Sequence, residues 1–180
     1  MLGSWTINVV TGGMPEKVAT ACGKLSEQLI GAEYAPIAYL GSQVVNGTNH
    51  AVLMEQTILS GKDVKNVVLV IFNEKPNDID LTLVNIERVV EGGTGAGAVV
   101  VDPKTEIPEE AKDVFAAALE GFVGSSVQPF ALLATQVVKG IDYIFAAEVT
   151  PVTQDPVKKV CTVTVNGLEK TVAFKDILNK

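Results

Sequence analysis

Residues able to carry covalent or metal chemistry are scarce in this chain: one histidine, His50, and two cysteines, Cys22 and Cys161. Any Ser–His or Cys–His nucleophilic machinery would have to be centred on His50. A zinc site would have to lean on carboxylates and on cysteines far apart in sequence. The expectation is therefore a protein that is not an enzyme and holds no metal and no cofactor. Glu106, Glu109, Glu110 and Asp113 cluster at the start of an expected helix. There they suit the positive end of the helix dipole and need no catalytic role. The segment Gly92-Gly93-Thr94-Gly95-Ala96-Gly97 has the look of a phosphate loop, but no Lys-Ser/Thr follows it and no helix starts there, so it reads as a linker. His50 reads as a half-exposed strand residue.

Composition narrows the classes further. Apolar residues make up 47% of 180 and charged residues 19%, which favours a packed core over disorder. The net charge of −7 argues against binding a phosphate backbone, so no nucleic-acid partner is expected. No apolar run is long enough for a helical membrane span. The start of the chain does not read as a signal peptide, and two cysteines make no disulfide framework. A reduced, cytoplasmic setting is expected. Asn46-Gly47-Thr48 matches a glycosylation acceptor and reads as coincidence in that setting.

The elements that would position any site occur twice. Shifted by 93 residues, Pro36-Ile37-Ala38-Tyr39-Leu40-Gly41-Ser42-Gln43-Val44-Val45-Asn46-Gly47 falls on Pro129-Phe130-Ala131-Leu132-Leu133-Ala134-Thr135-Gln136-Val137-Val138-Lys139-Gly140. The same register places Pro15-Glu16 on Pro108-Glu109 and Gly31 on Gly124. The expected organisation is copy one at 1–91, a Gly-rich joint at 92–97 and copy two at 98–180.

Each copy opens with a short alternating segment. A proline at the first helical position follows, then an apolar stripe: Val18, Ala21, Cys22, Leu25, Leu29, or Ala111, Val114, Phe115, Ala118, Phe122. Cys22 falls on Phe115, so it reads as a core residue. Four strand signals follow the helix. In copy one they span 36–45, 48–59, 64–72 and 79–89. The first two flank Asn46-Gly47, read as a tight turn in which both residues tolerate positive φ. Asn166-Gly167 is read as a tight turn in copy two. The predicted class is α+β, each copy having one helix across the concave face of a four- or five-stranded antiparallel sheet, that face being the only apolar surface expected to receive the stripe.

Gln43-Val44-Val45-Asn46-Gly47, at the tip of the first hairpin after a single helix, resembles the Gln-x-Val-x-Gly motif of the cystatin superfamily. The stefin branch is the most similar, through Gln43 to Asn49, Val70-Ile71-Phe72 and Pro76-Asn77-Asp78-Ile79-Asp80-Leu81. The resemblance covers nearly all of copy one, and copy two resembles bacterial cystatin-like proteins from Ile107 to Thr150. It implies tandem cystatin-like domains and reversible, occluding inhibition of papain-like cysteine proteases by a wedge of three segments. Carried onto this sequence, the wedge is Gly3, Ser4 and Trp5 in the leading segment, Gln43, Val44, Val45, Asn46 and Gly47 in the first loop, and Lys75, Pro76 and Asn77 in the second. Gly3-Ser4 departs from the family's double glycine, Asn46 stands where alanine is common, and Lys75-Pro76-Asn77 is a partial match. Gln136, Val137, Val138, Lys139 and Gly140 would form a second, weaker site, because the leading segment of copy two is tethered through Gly95 and Gly97.

Valines 44 and 45 are both expected to stand exposed beside the turn, each offering roughly 1.5–3 kcal/mol if buried in a cleft. Trp5 suits either burial in the first strand or a role as an anchor for the partner. The alternative is a non-inhibitory protein-binding or scaffold module with the same duplicated fold. No membrane partner is expected; the chain is expected to be a monomer, with a strand-exchanged dimer as a second state.

Overall fold

The computed structural model describes residues 3–178. They form two compact units, the first ending at Gly92 and the second starting at Gly93. The first unit runs β1 (Trp5–Val10), α1 (Glu16–Gln28), β2 (Ala32–Val45), β3 (Gly47–Ile58), β4 (Val64–Glu74) and β5 (Thr82–Glu91). The second runs β6 (Val99–Lys104), α2 (Glu109–Ala118), β7 (Ser125–Val138), β8 (Gly140–Pro151), β9 (Lys159–Asn166) and β10 (Val172–Leu178). Each unit contains one five-stranded antiparallel sheet with its strands side by side in chain order.

The expected α+β class is overturned. Strands take 55% of the chain and helix 13%, so the protein is mostly β and does not fit tandem cystatin-like domains. The reason lies in the strands, which are apolar on both faces. In β4, Val67 through Phe72 are buried without alternation, the pattern of a strand covered on both sides. Even-numbered Val52, Met54, Val68, Val70 and Phe72 pack with Val18, Cys22 and Leu25 of α1. Odd-numbered Ala51, Leu53, Val67, Leu69 and Ile71 lie on the other face and are buried as well. The face that receives the helix is therefore not the only apolar surface of the sheet. The helix remains a minor element, although burying Val18 and Leu25 contributes roughly 1.5–3 kcal/mol each.

Both helices start one residue later than expected. Pro15 and Pro108 are the N-caps, and their carbonyls accept the first helical bonds from Ala19 and Lys112, each at 3.0 Å. Helix α2 stops at Ala118, so Phe122 does not complete its stripe. Phe122 lies beyond the helix, exposed, with its ring 5.5 Å from Phe174. Leu29 likewise caps α1 rather than belonging to it, yet still packs on the core.

The 93-residue register holds in the interior of each unit: Glu16 and Glu109, Ala32 and Ser125, and Gly47 and Gly140 open equivalent elements. Pro36 and Pro129 sit where the first register shift of each long hairpin occurs, which is where a residue with no N–H to give the ladder is tolerated. The outer strands depart from the register. Trp5 pairs with Gln43, but Val99, one residue beyond the expected match, pairs with Gln136. The last hairpin of unit two is also shorter. Asn166-Gly167 is not a two-residue turn; five residues, 167–171, join β9 to β10. The positive φ there belongs to Lys170 (55°), not to Gly167.

The first hairpin of each unit also differs from the expected turn. Val45 pairs with Gly47 and Val138 with Gly140, leaving a single residue, Asn46 or Lys139, between the paired ends. Only the glycine is left-handed, with φ of 93° at Gly47 and 83° at Gly140, as in a type I turn closed by a glycine bulge. Asn46 keeps negative φ.

Candidate protein-binding rim

Three chain segments meet at one end of the first sheet. The β2–β3 tip brings Gln43 to Gly47, β1 lies beside it with Trp5 opposite Gln43, and the end of β4 leads into Lys75-Pro76-Asn77. Hydrogen bonds join all three. Gln43 Nε2 donates to the Gly3 carbonyl at 2.6 Å, and Asn49 Nδ2 donates to Gln43 Oε1 at 3.1 Å. Asn73 Nδ2 donates to Asn49 Oδ1 at 2.8 Å and to the Asn46 carbonyl at 3.4 Å. The spacing is set by absent side chains. A Cβ on Gly3 would strike the Val44 carbonyl oxygen, and one on Gly47 would strike that of Glu74.

At the tip, Val44 is 71% exposed while Val45 is half-buried, so the expected pair of free valines is one. Lys75, Pro76, Asn77 and Ser4 are exposed, and Trp5 is half-buried. Asn77 carries the left-handed φ of 71° that lets the second loop turn. The rim thus offers Val44, Pro76 and part of Trp5 on a frame whose polar side chains already bond one another. Gln43 in particular has a partner at each end of its amide.

His50 is buried, not half-exposed as expected, and it is wired. Its Nδ1 lies 2.9 Å from Tyr39 Oη and its Nε2 lies 3.0 Å from Glu74 Oε2. With Nε2 protonated, the ring donates to Glu74 and accepts from Tyr39. Glu74 Oε1 accepts from Lys17 Nζ at 2.9 Å, and the same ammonium reaches the Asp78 carbonyl at 3.2 Å. The chain from Tyr39 through His50 and Glu74 to Lys17 ties β2, β3 and β4 to the helix, and holds the second loop against it. Lys17 and then His50 keep the Glu74 carboxyl below the usual carboxylate range. Burial pushes the Tyr39 hydroxyl upward. The one sequence signal for His50 is its falling on Tyr143; its link to Glu74 joins residues far apart in sequence.

The second unit repeats much of this frame. Gln136 Nε2 donates to the Gly97 carbonyl at 2.9 Å. Asn166 Nδ2 donates to Asp142 Oδ1 at 2.8 Å and to the Lys139 carbonyl at 3.1 Å. Val137 and Val138 are exposed, and Lys139 pairs with Glu169 at 2.8 Å.

Neither thiol belongs to a rim. Both are free and buried, and burial pushes Cys22 up to about 11 and Cys161 up to about 12. Among the described residues no three His, Cys, Asp or Glu side chains are grouped to hold a metal ion, and no helix is long and apolar enough to cross a membrane. No protein-family model matches the chain, and the search of curated proteins returned no match.

Proposed function

We propose that the rim of the first unit is a protein-docking wedge that reversibly occludes the cleft of a papain-like cysteine protease. One observation carries this reading: the leading segment, the first hairpin tip and the end of β4 that leads into the second loop, separate in sequence, are bonded into one edge with Val44 exposed at its apex. The motif Gln43 to Gly47 supports the same reading by its resemblance to a protease-binding loop. Docking such an edge orders little chain, because its backbone is already fixed. Occlusion needs no covalent step. The cytoplasmic setting belongs to this proposal and is supported by two free, buried thiols.

A second reading is favoured by one specific feature. Both ends of the Gln43 amide are engaged inside the chain, so that side chain offers a partner less than the motif implies. A protein-binding module that occupies no protease cleft would use the same exposed Val44 and Pro76. Steady-state papain hydrolysis of a small peptide substrate, titrated with the protein, separates the two. Inhibition that disappears on dilution supports the wedge. Full papain activity alongside retained binding to another protein supports the module.

A further inference from the structure

Asparagine followed by glycine occurs twice in the chain, at Asn46-Gly47 and Asn166-Gly167. A glycine carries no Cβ to screen its backbone nitrogen, which can therefore reach the side-chain carbonyl of the asparagine before it. The fold treats the two pairs in opposite ways. Asn166 is buried, and both ends of its amide are held. Nδ2 donates to Asp142 Oδ1 and to the Lys139 carbonyl, while Oδ1 accepts from the Leu168 and Glu169 amides at 2.9 and 2.8 Å. The neighbouring nitrogen is held as well, since Gly167 N donates to the Ile141 carbonyl at 2.9 Å. Asn46 stands exposed at the first hairpin tip. Among the described residues no hydrogen bond holds its side chain; only its backbone carbonyl is engaged, by Asn73 Nδ2 at 3.4 Å.

We propose that Asn46 is a site of spontaneous deamidation, and that its hydrogen bonds shield Asn166 from the same reaction. Gly47 N bonds to Asn46 Cγ as the Cγ–Nδ2 bond breaks, and ammonia leaves with the proton that Gly47 N gives up. Water then opens the cyclic succinimide. Attack at Cγ yields aspartate; attack at the backbone carbonyl carbon yields isoaspartate. Nothing is oxidised or reduced, and water is the only co-reactant. Either product puts a carboxylate beside the exposed Val44. Isoaspartate also lengthens the main chain by a methylene, at a tip where Gly47 already sits tight against the Glu74 carbonyl. A neutral apolar apex becomes a charged one, which a dry cleft rejects because an unpaired charge is costly to bury. That consequence, unlike the modification itself, rests on the protease reading of the first rim: docking fades as the protein ages.

Incubation of the full chain in mildly alkaline buffer, native and in urea, followed by brief acidic digestion and peptide mass spectrometry, tests the assignment. The native protein should exchange amide for carboxyl at Asn46, with isoaspartate among the products, while Asn166 stays intact. In urea both should convert, and Asn46→Gln should retain its amide in either state. A native Asn46 that stays intact while the unfolded chain converts overturns the site. A native Asn166 that converts as fast as Asn46 overturns the shielding. Ion exchange separates deamidated from intact wild type by charge, and papain inhibition by the two fractions reads the consequence. The deamidated fraction should inhibit at least about tenfold more weakly. Equal inhibition by the two fractions overturns the link between Asn46 and docking. Fresh protein that leaves papain active overturns the protease reading, while the mass result at Asn46 still decides the modification.

Discussion

The two units solve one problem, joining helix to sheet, with different residues at equivalent positions. In the first, Lys17 on α1 reaches His50 on β3 through Glu74 on β4. In the second, Glu110 takes the place of Lys17 and Tyr143 that of His50, and Tyr143 Oη donates directly to Glu110 Oε1 at 3.3 Å. The position of Glu74 is then held by Gly167, where a Cβ would come within 3.5 Å of the Tyr143 ring. A longer side chain spans the gap alone, and the intermediary vanishes. The comparison predicts that these three positions act as a set; the first unit's version also reaches its second loop, through Lys17 and the Asp78 carbonyl.

The largest effect in breaking this comparison belongs to the hairpin glycines. Both are left-handed, and a side chain at either meets an atom that cannot swing away: the Glu74 carbonyl oxygen at Gly47, and Leu168 Cβ, fixed to its loop backbone, at Gly140. Gly47→Ala and Gly140→Ala should each cost roughly 2–3 kcal/mol, read as shifts in the urea midpoint of the affected unit. A cost under about 1 kcal/mol at either would show that the neighbouring backbone gives way. His50→Tyr by itself should destabilise the first unit by about 1–3 kcal/mol, because the new ring meets Glu74 and loses its partners. The triple change Lys17→Glu, His50→Tyr, Glu74→Gly rebuilds the second unit's version and should recover most of that loss. A triple variant no better than the sum of its single changes would show that the positions are independent.

A smaller effect follows acidity. Because the folded pKa of Glu74 is depressed, its contribution is present above the ordinary carboxylate pKa and is lost as pH falls through the folded value. The first unit should therefore lose stability below about pH 4 more steeply than Glu74→Gln does, as followed by acid titration of unfolding. The thiols report on each unit separately. With pKa values raised to about 11 and 12, Cys22 and Cys161 should both be silent to a thiol reagent at pH 8 in the native state. In rising urea each should react only as its own unit opens, so Cys22 in Gly47→Ala should label first. The smallest effect is on stability at the apex: Val44→Ser should change the unfolding free energy by under about 0.5 kcal/mol, as read by thermal melting, since Val44 is exposed.

The repeat was legible because a helix stripe and a long hairpin are local patterns, and the 93-residue register aligned both copies of each. The outer strands were not, since a one-residue shift at β6 and a shorter β9–β10 hairpin are set by pairing, which short apolar segments do not encode. The expected class fails because the concave face is not the sheet's only apolar surface. The unbroken run Val67 to Phe72 shows a sheet buried on both faces, which makes the protein mostly β. At the rim, the motif points to the three segments, but Val45 is half-buried rather than exposed and His50 is buried rather than half-exposed. His50 depends on Glu74, a cross-strand neighbour 24 residues away that lies outside any local pattern.

Val44, not Val45, is accordingly the residue on which occlusion can be tested cleanly. Removal of residues 1–4 would probe the leading segment too, but Met1 and Leu2 lie outside the described residues. The direct measurement is the papain inhibition constant of the wild type against Val44→Asp, with melting curves for both. Inhibition by the wild type, weakened roughly 10- to 100-fold by the substitution at unchanged stability, is the predicted result, the loss matching one valine's burial. Papain left fully active by the wild type at roughly 10 μM, where binding of only about −7 kcal/mol would already register, would contradict it.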